Sequence, residues 1–249
     1  MKHSRTTPEP DILTQSRRGF LTQAASGIFM FTTAAAFAED LLRTPRLTEG
    51  PFYPDKLPLD TDNDLILVGN SKTPADGEIT HLTGRVLDLS GSPVKNATIE
   101  IWQCDAHQVY LHTSDSIPKA QQRDKNFQGY GRFTTGSKGE YYFRTIKPVP
   151  YPGRSAGHIH FRVKKGDREL LTSQIFIRGF AGNKTDGVYN GNRDPLDREL
   201  VLANFKPIKE SKANELSAHF DIILGRTPDE SSFAPTNPFE TDARGVKRV

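Results

Sequence analysis

The chain of 249 residues has a single cysteine, Cys104. No internal disulfide can form and no thiolate cage can hold a metal, so any metal must rest on His, Tyr or carboxylate groups. An excess of one charge is equally scarce. The formal net charge is +3; beyond residue 38 the chain has 29 basic and 28 acidic side chains, a net of +1. That near-neutral body argues against nucleic-acid binding, which needs a clustered basic face. There is no internal repeat, no phosphate-cradling glycine loop, no zinc-protease helix motif and no low-complexity run. What is present is 15 Phe and 35% hydrophobic residues, enough for one well-cored domain, and all-β domains of this length are routine.

The two ends read differently from the middle. Ser16-Arg17-Arg18-Gly19-Phe20-Leu21 resembles a twin-arginine export signal, and the following apolar run ends in Ala36-Phe37-Ala38, an A-x-A cleavage site. Cleavage is expected after Ala38, giving a periplasmic or secreted protein that meets the twin-arginine machinery. No stable membrane insertion is expected after cleavage, because the run is short and broken by Gln23, Ser26, Thr32 and Thr33. Residues 39–80 are rich in Pro, Asp and Thr and read as an arm over a core. Residues 81–225 form that core, and 226–249 read as an extended tail.

Within the core, short alternating runs are separated by turn signals. Leu82–Leu89, Asn96–Cys104, Gly129–Thr135, Glu140–Ile146, 158–164, 170–178 and His219–Leu224 read as strands. Gly136-Ser137-Lys138-Gly139 reads as a hairpin turn, and Asp194–Asn204 as a short helix. The expected class is all-β, an antiparallel β-sandwich with long loops.

The stretch Tyr151–His160, Tyr-Pro-Gly-Arg-Ser-Ala-Gly-His-Ile-His, carries the chemistry. Strand side chains alternate, so His158 and His160 share a face with Ile159 opposed, and two imidazoles on one face can share a metal ion. A bare H-x-H equally suits polar residues on a solvated face. Gly153-Arg154-Ser155-Ala156-Gly157 fits the G-x-S-x-G pattern of a nucleophile elbow, but Pro-rich chain precedes it and a strand follows, so the elbow is rejected. Tyr110, after one strand's end, and Tyr151, before the histidine strand, lie outside clean alternating runs. With the histidines they make a candidate mixed oxygen and nitrogen site, which suits a hard trivalent ion.

In order along the chain stand Glu100-Ile101-Trp102-Gln103, Tyr110-Leu111-His112, Asn126-Phe127-Gln128-Gly129, Tyr142-Phe143-Arg144-Thr145-Ile146-Lys147-Pro148, Pro150-Tyr151-Pro152 and His158-Ile159-His160-Phe161. Ser173-Gln174 and Phe220-Asp221-Ile222-Ile223-Leu224 follow. Together, from about Thr48 to Leu224, these resemble the intradiol ring-cleavage dioxygenases, with protocatechuate 3,4-dioxygenase as the nearest subgroup. The resemblance implies a mononuclear non-haem Fe(III) between the sheets of the sandwich, held by Tyr110, Tyr151, His158 and His160. It implies a catechol and O2 as substrates and a cis,cis-muconate-type product. By the same resemblance, Tyr151 is expected to be the tyrosine released when the catechol binds, while Tyr110 stays. Gln174 matches a glutamine near the reacting carbons. Tyr53, in Gly50-Pro51-Phe52-Tyr53, matches a segment near the substrate mouth and is the candidate substrate contact.

Arg154 is the candidate for the cation that stabilises electron-rich intermediates. Here the chain departs from the family, which has Arg-Pro-Ala directly before its H-x-H. This chain has Ser155-Ala156-Gly157 there, with Arg154 one place earlier. Arg154 is expected to reach in from a shifted backbone, helped by Gly153 and Gly157; otherwise the role is unfilled. His107, His112 and His219 read as surface or hydrogen-bonded groups. Two other readings stand beside the enzyme: a non-catalytic binding module on the same sandwich, and copper or zinc at the histidine pair, against which tyrosine counts because it is a poor zinc ligand. The oligomeric state stays open.

Overall fold

Alternation builds the core. In β5 (His158–Lys165) the odd residues Ile159, Phe161 and Val163 are fully buried and point into one apolar cluster. They meet Ile99 and Ile101 from β2 (Thr98–Trp102), and Leu82 and Val86 from β1 (Ile79–Leu87). Each such side chain fully removed from water contributes about 1.5–3 kcal/mol.

A computed structural model of the chain describes residues 41–191 and 194–225. The expected leader 1–38, tail 226–249 and the first two residues of the arm lie outside the described residues. After β1 and β2 come a helical turn α1 (Thr113–Ser116), β3 (Tyr130–Thr134), β4 (Glu140–Ile146), β5 and β6 (Arg168–Ile177). Then follow α2 (Gly187–Gly191), α3 (Pro195–Glu199), β7 (Leu202–Ala203), β8 (Phe205–Pro207), β9 (Leu216–His219) and β10 (Ile222–Ile223). No helix among the described residues is long and apolar enough to cross a membrane.

Two sheets result. One is centred on β1, with β4 antiparallel on one side and β9 then β10 parallel to it, β8 pairing with β9. The other has the order β3-β2-β5-β6-β7. The fold is therefore all-β and sandwich-like, but its sheets are mixed rather than purely antiparallel: β9 and β10 run parallel to β1, and β7 runs parallel to β6. Parallel neighbours need long connections, and here they come from the C-terminal part of the chain returning to strands laid down earlier.

Two local expectations change. The Gly136–Gly139 turn exists, with Gly139 N–H donating to Gly136 O at 3.1 Å. It does not close a hairpin, because β3 pairs with β2 and β4 pairs with β1, so the chain crosses there from one sheet to the other. Turn residues specify a reversal, not which sheet each arm joins. In 194–204 the helix is only Pro195–Glu199, capped by Asp194 accepting from Leu196 N–H at 2.8 Å, and β7 takes the following residues against β6.

The faces of the second sheet decide where a site can form. Opposite the core, register aligns Gln174, His160, Trp102 and Tyr130 side by side across β6, β5, β2 and β3. His158 lies one step along, opposite Phe176. This outer face is covered by the arm. Arg162 on that face pairs with Glu49, and Gly50 lies against the His160 ring, while beside them the arm runs along β6, with Leu47 N–H donating to Thr172 O at 3.1 Å and Ser173 Oγ–H to Pro45 O at 2.7 Å.

Candidate metal centre

The histidine pair is built by β5 alone. Both imidazoles are buried, and their Nε2 atoms stand 3.2 Å apart. Nδ1 of His158 lies 2.8 Å from Ala156 O, and only an N–H can face a carbonyl, so its Nε2 keeps the lone pair. Nδ1 of His160 is buried with no hydrogen-bond partner. Burial depresses both: His158 falls to about 4, with the charge of Arg154 adding to desolvation, and His160 drops well below the usual range. Both are neutral at pH 7, as metal-binding imidazoles must be.

Tyr110 arrives on the loop after β2. Two buried carboxylates shape that loop: Asp105 accepts from His107, Val109 and Asp124 N–H, and Asp115 accepts from Tyr110 N–H at 2.8 Å. The Tyr110 hydroxyl stands 3.5 Å from His158 Nε2. Its ring stacks on Phe52 at 4.9 Å and meets Tyr151 edge-on at 5.2 Å. Burial, then the neighbouring Cys104 and Tyr151, pushes the Tyr110 phenol well above its ordinary value. Tyr151 is half-buried; burial raises it too, while Arg154 pulls it back. Tyr151 is the first residue of a tight turn with Pro152 and Gly153: Tyr151 and Arg154 exchange backbone hydrogen bonds at 3.1 and 2.9 Å, and Gly153 takes φ +91°, which favours glycine.

Three of these side chains bring donor atoms to a spacing that fits a metal ion, with the Tyr151 ring beside them. Donors bound at roughly 2.1 Å to one ion stand roughly 3 Å apart at a right angle, and the 3.2 and 3.5 Å separations match that spacing. Among the described residues no group of three or more His, Cys, Asp or Glu could hold a metal, so any such ion needs phenol oxygen. The position also corrects an expectation. The pair projects from the outer face of the second sheet, under the arm and the loops, and not between the sheets, because Ile159 and Phe161 occupy the inner face.

Residues 48–225 match the family model described as Dioxygenase. The chain is 34% identical over 156 residues to the protocatechuate 3,4-dioxygenase beta chain of Burkholderia cepacia, covering 59% of this chain and 65% of that one. It is 31% identical over 147 residues to a hydroxyquinol 1,2-dioxygenase of Corynebacterium glutamicum, covering 52% and 44%. The dioxygenase domain of a dioxygenase carbohydrate-binding protein fusion from Streptomyces sp. SirexAA-E superposes with a TM-score of 0.55 at 27% identity, covering 74% of this chain and 99% of that one. The chain belongs to the intradiol ring-cleavage dioxygenase family. It spans 65% and 44% of the lengths of the two curated relatives.

Around the four side chains, this intradiol dioxygenase chain brings Arg154 and Gln174 together and leaves Tyr53 aside. Arg154 Nη1 is 3.1 Å from His158 Nε2, and its Nη2 donates to Gln174 Oε1 at 2.8 Å. Gly157 allows the approach of that backbone, since a Cβ there would lie 2.2 Å from Pro148 O. Gln174 is oriented by its Nε2–H donating to Thr48 O at 2.8 Å. The Tyr53 hydroxyl donates to Glu100 at 3.2 Å, and its ring packs edge-on against Trp102 and Tyr130. The neighbouring Phe52 is the arm residue whose ring meets Tyr110, Tyr151 and His112. Sequence reading took Phe52 for an aromatic that pins its loop, and passed over Asp186. Nothing in the local pattern marks either; only the family segment around Phe52 hinted at it.

Proposed function

We propose that the chain is a non-haem ferric intradiol dioxygenase that opens a catecholic ring with O2 to a cis,cis-muconate-type product. Tyr110, Tyr151, His158 and His160 would hold the ion. The observation that carries the reading is that His160 Nε2 and the Tyr110 hydroxyl stand 3.2 and 3.5 Å from His158 Nε2, beside Tyr151, in a chain of this family. When bound, the ion would act as Lewis acid and template, drawing density from a chelated catecholate so that a ring carbon can react with O2.

The protein's own groups supply the rest. Two neutral imidazoles and two phenolates balance most of a trivalent charge, and a buried phenol that resists ionisation alone gives up its proton next to such a charge. Tyr110, buried in the loop, suits a permanent ligand. Tyr151, half-buried beside Arg154, suits the phenolate that leaves and takes up one catechol proton at its oxygen. Phe52 and Trp102 exclude water, and Arg154, whose Nη2 donates to Gln174 Oε1, turns Nη1 toward His158 and the ligand set. The same proposal includes export through Arg17-Arg18 and release after Ala38.

The test is direct. Purified protein loaded with iron should be red-brown from phenolate-to-iron charge transfer, hold one iron per chain, shift its band with catechol under nitrogen, and consume O2 as catechols are opened. A colourless protein that binds no iron and consumes no O2 would overturn the proposal and leave a binding module in its place.

A further inference from the structure

Arg154 brings a positive charge to the edge of two imidazoles and two phenols, and something must aim it. Its side chain is 11% exposed, and the partner that holds it, Asp186, is fully buried. Oδ2 of Asp186 accepts from Arg154 Nε at 2.9 Å and Oδ1 from Nη2 at 3.1 Å, the two-pronged match between carboxylate and guanidinium. The same carboxylate accepts from Ala156 N–H at 3.3 Å, and from Val188 and Tyr189 N–H at 3.1 and 3.0 Å in the first turn of α2. It is therefore fixed to two separate backbone segments. With one edge of the guanidinium gripped, Nη1 is left facing His158 and Nη2 reaches Gln174.

We propose that Asp186 is a positioning residue, which aims Arg154 at the catechol site and so lets an arginine four places before His158 serve there. The inference rests on the dioxygenase reading for its kinetic consequence, but not for its geometry. A planar guanidinium held along one edge cannot swing away, and the cost of burying the pair is met by five hydrogen bonds to a single carboxylate. Asp186 lies 26 residues beyond His160, so the device is invisible around the H-x-H motif.

Two variants separate aiming from folding. Asp186→Asn keeps the shape but sets an NH2 against the guanidinium. Asp186→Ser keeps a cap for the first turn of α2 and removes the charge. In the iron-loaded full chain, each should lower kcat for catechol by roughly 10–100-fold, the range for partners that orient a site group. In an Arg154→Gln background, each should cost nothing further. A full additional loss in that background, or an unchanged kcat in the single variants, would overturn the proposal. The second readout uses metal-free protein labelled with 15N-arginine. The Arg154 Nε–H signal, assigned by its absence in Arg154→Gln, should exchange slowly in the native chain and fast in both Asp186 variants. Unchanged exchange would overturn it. If the native chain opens no catechol, the dioxygenase reading fails while this measurement still decides whether Asp186 holds Arg154.

Discussion

The indole of Trp102 lies parallel to the imidazole of His160, their planes 7° apart and their centroids separated by 5.0 Å. The pairing follows from register, since Trp102 on β2 is directly opposite His160 on β5. A fully buried indole against one ring face, with the Tyr110 ring edge-on at 6.0 Å, leaves His160 little freedom to rotate. Trp102→Ala should cost roughly 3–5 kcal/mol, as loss of a buried tryptophan does. Trp102→Phe should cost less and keep a flat wall. Urea unfolding with iron analysis checks both: iron retained at native level after Trp102→Ala would show that the indole does not hold the imidazole.

Tyr110→Phe separates ligation from packing. The hydroxyl stands 3.5 Å from His158 Nε2 and shares a hydrogen bond with Tyr151, so losing it should change the stability of the metal-free protein by about 1 kcal/mol. Iron content should fall sharply, and the charge-transfer colour should weaken or shift. Native iron content and an unaltered spectrum would remove Tyr110 from the ligand set.

Cys104 should be silent. It is buried beside Val149 O, and burial, with the charge of Asp105 adding, pushes its thiol up to about 12. Since only the thiolate reacts, Ellman's reagent at pH 8 should find no thiol in the folded chain and one per chain in denaturant. Rapid labelling of the folded protein would contradict that burial.

The stability contributed by Asp186 should depend on pH in one direction. Its carboxyl lies below the ordinary value, because the pull of Arg154 and the N–H groups outweighs the opposing desolvation. A group lowered in the folded state stabilises it fully above its unfolded value, about 3.9, and loses that contribution as pH falls through the folded value. The difference in urea midpoint between the native chain and Asp186→Asn should therefore be constant from pH 7 to about 5 and shrink below about 4. A difference that grows on acidification would reverse the sign.

What could be read from the sequence was what alternation encodes. The period of two from His158 to Lys165 gave a strand and put both imidazoles on one face. Tyr110 and Tyr151 sit on irregular backbone, where no period applies; their place beside strand ends made them candidates, and the family resemblance supplied their roles as ligands. The crossing at Gly136–Gly139 was hidden because a turn has the same residues whether its arms pair with each other or with different sheets. Tyr53 drew attention through the family segment it shares with Phe52, yet its hydroxyl serves Glu100 while the plain ring of Phe52 meets the phenols. Asp186 reaches Arg154 only through tertiary structure, and the outer-face placement of the site follows from sheet packing.

The parallel pairing of β1 with β9 and β10 orders events during synthesis. Val86 meets Ile222 across 136 positions of chain, so the earliest strand gains this neighbour only after all the chain between them has been made. Until then one rim of that sheet offers unpaired amides to any passing strand. Shortening the polypeptide before Leu216 should strand nascent chains in that exposed condition, and they should aggregate where the longer product folds.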